Sequence, residues 1–256
     1  MAQSKNHIVM HIPHDSLVIP DEHRADFMLS DEALEKEKLL MTDMHTADLY
    51  QYEGAARIVF PVSRLMLDPE RFSDDSQEVM AERGMGVLYT VTSQLKEMRK
   101  PIVGTKRNAI LNQYYYPHHE SLSAAVKNSL SLYDKALVVD CHSFPAYPLP
   151  YEMAENNDIR AEICIGTDIF HTPDKVRTGL EMFFKDKGYS VAVDNPFAGA
   201  LTPMEHYRTE KRVKAVMFEI RRDIYMDENT GKKHDRYNSV KTDISEAIGY
   251  LEDITG

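Results

Sequence analysis

Short apolar runs alternate along this chain with segments in which apolar residues recur every three or four positions. The runs at 7–13 (HIVMHIP), 56–68 (ARIVFPVSRLMLD), 135–142 (KALVVDCH), 161–168 (AEICIGTD), 189–196 (YSVAVDNP) and 213–222 (VKAVMFEIRR) have the length and β-branched content of strands. Pro13 and Pro61 punctuate the first two. The run at 135–142 is apolar without alternation, the mark of a strand covered on both faces. GMGVLYTVTS (84–93) is a further strand candidate. Helical spacing predicts helices at 30–40, from about 43 to 54, at 118–133, at 173–188 and at 239–254. Ser30 is a natural cap for the first, and acids fill its first turn. Leu122, Val126, Leu130 and Tyr133 line one face of the third, while the fourth opens on Pro173 and closes on Gly188. Strands and helices in alternation predict an α/β fold around a mixed, largely parallel sheet. No linker rich in Gly, Ser or Pro divides the chain, so a single domain over 1–256 is expected.

Composition narrows the function. The 256 residues are 43% hydrophobic and 28% charged, with a net charge of −11. Such an acidic chain lacks the surface that would neutralise a nucleic-acid backbone, so no nucleic-acid partner is expected. No apolar run approaches the length of a membrane span, and the N-terminus lacks the apolar core of a signal peptide. The two cysteines, Cys141 and Cys164, sit in strand-like runs and read as buried free thiols. Sparse cysteine fits a reducing compartment, so a cytoplasmic location is expected. Neither a G-x-G-x-x-G nor a P-loop is present, which argues against nucleotide cofactors.

The candidate chemistry collects where strands end, which is where open α/β sheets bind ligands. His14, Asp15 and Ser16 follow the first run, Asp68 and Arg71 the second, His142 and Ser143 the third, Asp168 the fourth and Asn195 the fifth. A hydrolytic zinc takes three ligands from His, Asp and Glu and leaves a position for water. His14 and His142 are the best two candidates; Asp43, His45, Asp15, Asp68 and Asp140 compete for the third place. His118 and His119 read as helix-start residues, and His7, His23, His171, His206 and His234 as surface or loop residues. Glu219 interrupts a strand otherwise suited to burial, and a buried carboxylate needs a partner or a task. It is either ion-paired to Arg221 or Arg222, or a general base with a raised pKa. Arg64, Arg71, Arg107 and Arg208 lie in or beside strand-end segments and could grip a carboxylate ligand. A covalent route is disfavoured, because no G-x-S-x-G elbow exists and Cys141 and His142 point to opposite faces of their strand.

Read together, IPHDS, TDMHTADLY, SRLMLDPERF, YYYPHHESL, VVDCHSFP, EICIGTD, DNPFAGALTP and FEIRRDIYMDE resemble the N-formylglutamate amidohydrolase family, in the same order over nearly the whole chain. The resemblance implies a three-layer α/β/α sandwich related to the zinc carboxypeptidases and aminoacylases. It also implies a zinc-dependent hydrolase, or one using another divalent metal, acting on a small anionic N-formyl or N-acyl amino acid such as N-formyl-L-glutamate. On that pattern His14, Asp43 and His142 hold the metal and Glu219 is the general base. Arg71, Arg64 and Asn195 line the substrate pocket. Asp15 stands where relatives often carry a small residue, a departure beside the metal. The rival readings are a zinc hydrolase of another acylated amino acid or small peptide, and a non-catalytic binder of small dicarboxylates.

Overall fold

The computed structural model describes residues 6–154 and 156–256. Its strands are β1 (Ile8–Ile12), β2 (Ala56–Val59), β3 (Ala136–Phe144), β4 (Ile163–Gly166), β5 (Val191–Val193) and β6 (Val213–Arg221). They form one sheet in the order β2-β1-β3-β6-β4-β5. Neighbours are parallel except β4 and β6, which run antiparallel. The helices are α1 (Asp21–Arg24), α2 (Asp31–Met41), α3 (Thr46–Leu49), α4 (Gly104–Ile110), α5 (Tyr116–Tyr133), α6 (Asp174–Asp186) and α7 (Tyr237–Thr255).

Two-residue alternation sorts the strand side chains into the two faces of the sheet. Met10, Val139, Cys141, Phe218 and Ile220 pack on one face against Leu180 and Phe184 of α6 and Ile244 and Leu251 of α7. On the other face Val9, Ala136, Val138, Val213 and Ala215 pack against Leu122 and Val126 of α5. Three layers, helix on sheet on helix, follow. A third apolar cluster joins Leu34 and Met41 of α2 to Phe60, Leu65, Leu67, Leu88 and Tyr89 of the long segment after β2. That segment folds over the carboxyl ends of β1 and β3.

Most of the predicted elements are present, and the differences have local causes. Ser30 caps α2, its side chain accepting from the Ala33 amide. The helix expected over 43–54 shrinks to α3, because His45 takes a left-handed φ of 71° and breaks the turn that would start at Asp43. The strand expected in 84–93 reduces to an isolated bridge between Val91 and Glu97. The run at 56–68 is strand only to Val59, after which Ser63 donates its amide to the Val18 carbonyl of the loop after β1. The helix expected at 118 begins at Tyr116 and continues α4 through a π-helical turn at Leu111–Tyr115. Pro117 has no amide to offer the preceding turn, which accounts for the widening there. His7, His23 and His171, which read as surface or loop residues, are buried. His171 is held between the Val213 carbonyl and the Arg208 amide.

Candidate metal centre

On the α5 face of the sheet the side chains change character along the strands. Toward the amino ends they are apolar; toward the carboxyl ends Val138 gives way to Asp140 and His142, Ala215 to Met217 and Glu219, and Val9 to His11. Pairing places His142 beside Glu219 and His11 beside Asp140. The site is therefore a polar continuation of a core stripe, fixed by strand register.

Two loops complete it. His14 follows β1, and the Asp43 amide donates to the His14 carbonyl at 3.0 Å, tying the two segments together. Asp43 Oδ2 then lies 3.2 Å from His142 Nδ1 and 3.6 Å from His14 Nδ1. The other oxygen of Asp43 accepts from Arg222 Nη2 at 2.8 Å. Burial acts to raise the Asp43 pKa, but the two imidazoles and the Arg222 charge outweigh it and hold the carboxyl well below its usual range. His142 is pushed the other way. Burial opposes its charge, yet Glu70 and Asp140 hold its pKa well above the ordinary value.

Each imidazole faces a carboxylate through its other nitrogen. His14 Nε2 is 2.9 Å from Asp68 Oδ1, and His142 Nε2 is 3.1 Å from Glu70 Oε1 and 3.2 Å from Asp140 Oδ1. His14 Nδ1 is buried with no hydrogen-bond partner. A buried imidazole nitrogen left unpaired costs free energy unless something else meets its lone pair. The donor set His14, Asp43 and His142 brings its ligand atoms within 4.8 Å of one another. Two nitrogens and one carboxylate oxygen, with each ring backed by an acid, are what a divalent zinc-like ion requires. The residues fit the metal that the sequence pattern implies.

Of the competitors for the third ligand, Asp15 is engaged elsewhere: its Oδ1 accepts the Ala47 amide at 3.1 Å at the start of α3. His45 points away and meets the Gly231 carbonyl at 2.8 Å. Asp68 and Asp140 stand behind the imidazoles on their Nε2 sides.

Glu219 is buried in the same wall. Burial pushes its carboxyl up to about 8, with His142 opposing and Asp43 and Glu70 adding to the rise. Its Oε2 has no hydrogen-bond partner. The alternative expected for it, an ion pair with Arg221 or Arg222, is not present among the described residues. Arg221 bonds Asp223 at 2.6 Å, and Arg222 is committed to Asp43, Ser143 and the Leu40 carbonyl.

A cavity of about 900 Å³ opens over the centre, lined by His14, Asp43, His142, Glu219, Arg64, Arg71, Asn195 and Arg222 among others. Arg64 is held by Asp68 and Tyr89. Arg71 is freer: its Nε has no hydrogen-bond partner, and its nearest acid, Asp68, is 3.9 Å away. Arg107 and Arg208 lie outside the lining. Arg107 bonds the Ser73 carbonyl and Asp75, while Arg208 is 3.7 Å from Asp168 and lies over the Tyr207 ring. Sequence reasoning missed Glu70, which sits in a loop without periodicity, and the role of Arg222 as the partner of Asp43. It also missed His11, hidden inside an apolar run whose only hint was its alternation with Val9.

Comparison with known proteins completes the picture. Among solved structures, an N-formylglutamate amidohydrolase from Ralstonia eutropha superposes with a TM-score of 0.84 at 18% identity, covering 99% of this chain and 95% of that one. A gene product of Agrobacterium tumefaciens gives 0.65 at 16% identity, covering 97% and 93%. At these identities the likeness is one of fold. The comparison with curated proteins finds no match. The family model of N-formylglutamate amidohydrolase matches residues 6–226, most of the chain and every residue of the centre described above, and the chain belongs to that family.

Proposed function

We propose that this chain is a zinc-dependent amidohydrolase that cleaves the amide of a small anionic N-formyl or N-acyl amino acid, N-formyl-L-glutamate being the first substrate to test. One observation carries the reading. His14 Nδ1, His142 Nδ1 and Asp43 Oδ2 converge in the wall of a cavity that also holds a buried, unpaired Glu219. A bound zinc would supply Lewis acidity, polarising the scissile carbonyl and easing deprotonation of water toward pH ~7.

The chain's own residues do the rest. Glu219 Oε2, with no partner of its own, accepts the proton of the attacking water and returns it to the leaving amine. A carboxyl whose pKa is lifted to about 8 by burial is suited to both halves of that transfer. Arg71 offers a guanidinium fork free of hydrogen-bonded partners at Nε and holds the substrate carboxylate. Arg222 keeps Asp43 ionised and turned toward the imidazoles.

Elemental analysis of the purified protein, joined to a screen of N-formyl and N-acyl amino acids with and without chelator, tests this reading. Stoichiometric zinc and chelator-sensitive hydrolysis are expected. Full activity in chelator would overturn it. Glu219→Gln separates hydrolase from binder: a hydrolase loses its turnover, whereas a mere binder has none to lose and keeps or improves its affinity for the anion, because a buried carboxylate in an anion pocket repels its ligand.

A further inference from the structure

Behind the wall of the cavity lies a trio of buried ionisable groups, His11, Asp140 and His118, of which only Asp140 has a place in the chemistry described so far, as an acid behind His142. His11 and Asp140 do not line the cavity, and His11 is fully buried in β1. His11 Nδ1 is 2.8 Å from Asp140 Oδ1, and His11 Nε2 is 2.8 Å from Nε2 of His118 on α5. Asp140 Oδ1 is in turn 3.2 Å from His142 Nε2, and Asp140 Oδ2 accepts the Leu201 amide at 2.9 Å. Phe60 packs edge-on against the His118 ring and closes the far end.

The hydrogen-bond roles along this line follow from what each group can do. An ionised carboxylate only accepts, so both His11 Nδ1 and His142 Nε2 donate to Asp140. Of the two facing nitrogens of His11 and His118, one carries a proton and the other a lone pair. With the proton on His118, both rings stay uncharged in this buried setting and His11 keeps its own proton on Nδ1, toward Asp140. Glu70 Oε1 competes for the same His142 proton at 3.1 Å and lies 3.8 Å from His11 Nδ1. Glu70, however, sits on a partly exposed loop, while Asp140 belongs to β3 and is pinned by Leu201 and His11.

We propose that His11 is a positioning residue for the metal centre: by donating from Nδ1 it fixes Asp140, which holds the His142 proton on Nε2 and leaves Nδ1 of His142 to face the metal. The inference rests on the reading of His14, Asp43 and His142 as ligands.

The test compares three substitutions at one position. The amide nitrogen of Asn sits where a histidine carries Nδ1, so His11→Asn still donates to Asp140 and loses only the contact to His118. His11→Gln reaches toward His118 instead, and His11→Phe keeps the ring but donates nothing. Zinc affinity is read by competition with a chromogenic chelator, the ligand field by the visible spectrum of the cobalt-substituted protein, and folding by the melting temperature of the chelated protein. His11→Gln and His11→Phe should weaken zinc binding by about ten- to a hundredfold, the usual effect of removing a group that orients a ligand. They should also perturb the cobalt spectrum. His11→Asn should stay close to wild type in both, even if its chelated form melts as low as that of His11→Gln. Equal affinity and spectra for the Asn and Gln variants, whether both normal or both impaired, would overturn the role of His11. A wild-type protein that takes up no zinc would overturn the ligand reading itself.

Discussion

Glu219 is costly to the fold and, on the proposed function, useful to the chemistry. Its carboxyl is held at about 8 by burial, far above the ordinary value. A group whose folded pKa is raised contributes stability that is present below its unfolded pKa and lost as pH rises through the folded one. In the chelated protein, Glu219→Gln should therefore melt close to wild type near pH 4 and gain on it progressively toward pH 8, by up to a few kcal/mol. Over the same substitution kcat should fall by about a hundredfold to ten-thousandfold, the usual worth of a general base. A variant less stable than wild type at pH 8, or one that keeps its turnover, would contradict the assignment. Glu219 could be picked from the sequence because it interrupts an apolar strand, and His14 and His142 because each lies at or just beyond the end of one. Asp43 carried no such signal. It lies between α2 and α3 as one of five competitors for the third place, and only the resemblance of its segment to a known family singled it out. Glu70 carried none at all, since a loop has no period from which direction can be read.

At the level of elements, the centre depends on β3 and β6 keeping their register, because a shift by one residue would turn His142 and Glu219 to the α7 side. Tyr50, just after α3, guards that register. Its buried hydroxyl lies 3.0 Å from the His142 carbonyl and 2.9 Å from the Phe218 carbonyl, bridging the two strands at the site. Tyr50→Phe keeps the ring in place and removes the one O–H that the two carbonyls share, so it should cost about 0.5–1.5 kcal/mol in chemical denaturation. It should lower kcat/KM as well, although Tyr50 is not among the cavity-lining residues. Unchanged stability would show that the strands need no such clamp. The same helix shows where sequence periodicity fails. The segment from about 43 to 54 promised a helix, but the left-handed His45 gives up the first turn so that Asp43 can face the imidazoles. The core strands and the long helices were readable because burial imposes their period. The segment over the site was not, because its backbone is arranged to deliver Arg64, Asp68, Glu70 and Arg71 rather than to repeat.

Across the whole molecule, five of the 41 acidic residues meet where a cation would do most. Asp43, Asp68, Glu70, Asp140 and Glu219 gather within one polar region, and the arginines that reach it are Arg64, Arg71 and Arg222. Acids in excess of bases at low dielectric repel one another, and a divalent ion at the convergence of His14, Asp43 and His142 would relieve that repulsion. On the proposed function such an ion would bind the folded chain and not the unfolded one, so free zinc at about a hundred times its dissociation constant should add roughly 2.7 kcal/mol of stability. For a chain of this length each kcal/mol moves the melting temperature by about 2–4 °C, so titrating zinc into chelated protein should raise it by roughly 5–11 °C. The pattern among variants tests the site more sharply than the size of the shift. Asp43→Asn and His142→Ala should lose most of the zinc response, the first because a neutral amide is a poor ligand, the second because a nitrogen is gone. Glu219→Gln should keep it, since Glu219 is proposed to handle a proton and not the ion. A zinc response that survives Asp43→Asn but vanishes with Glu219→Gln would exchange the two roles and move the base to the other side of the cavity.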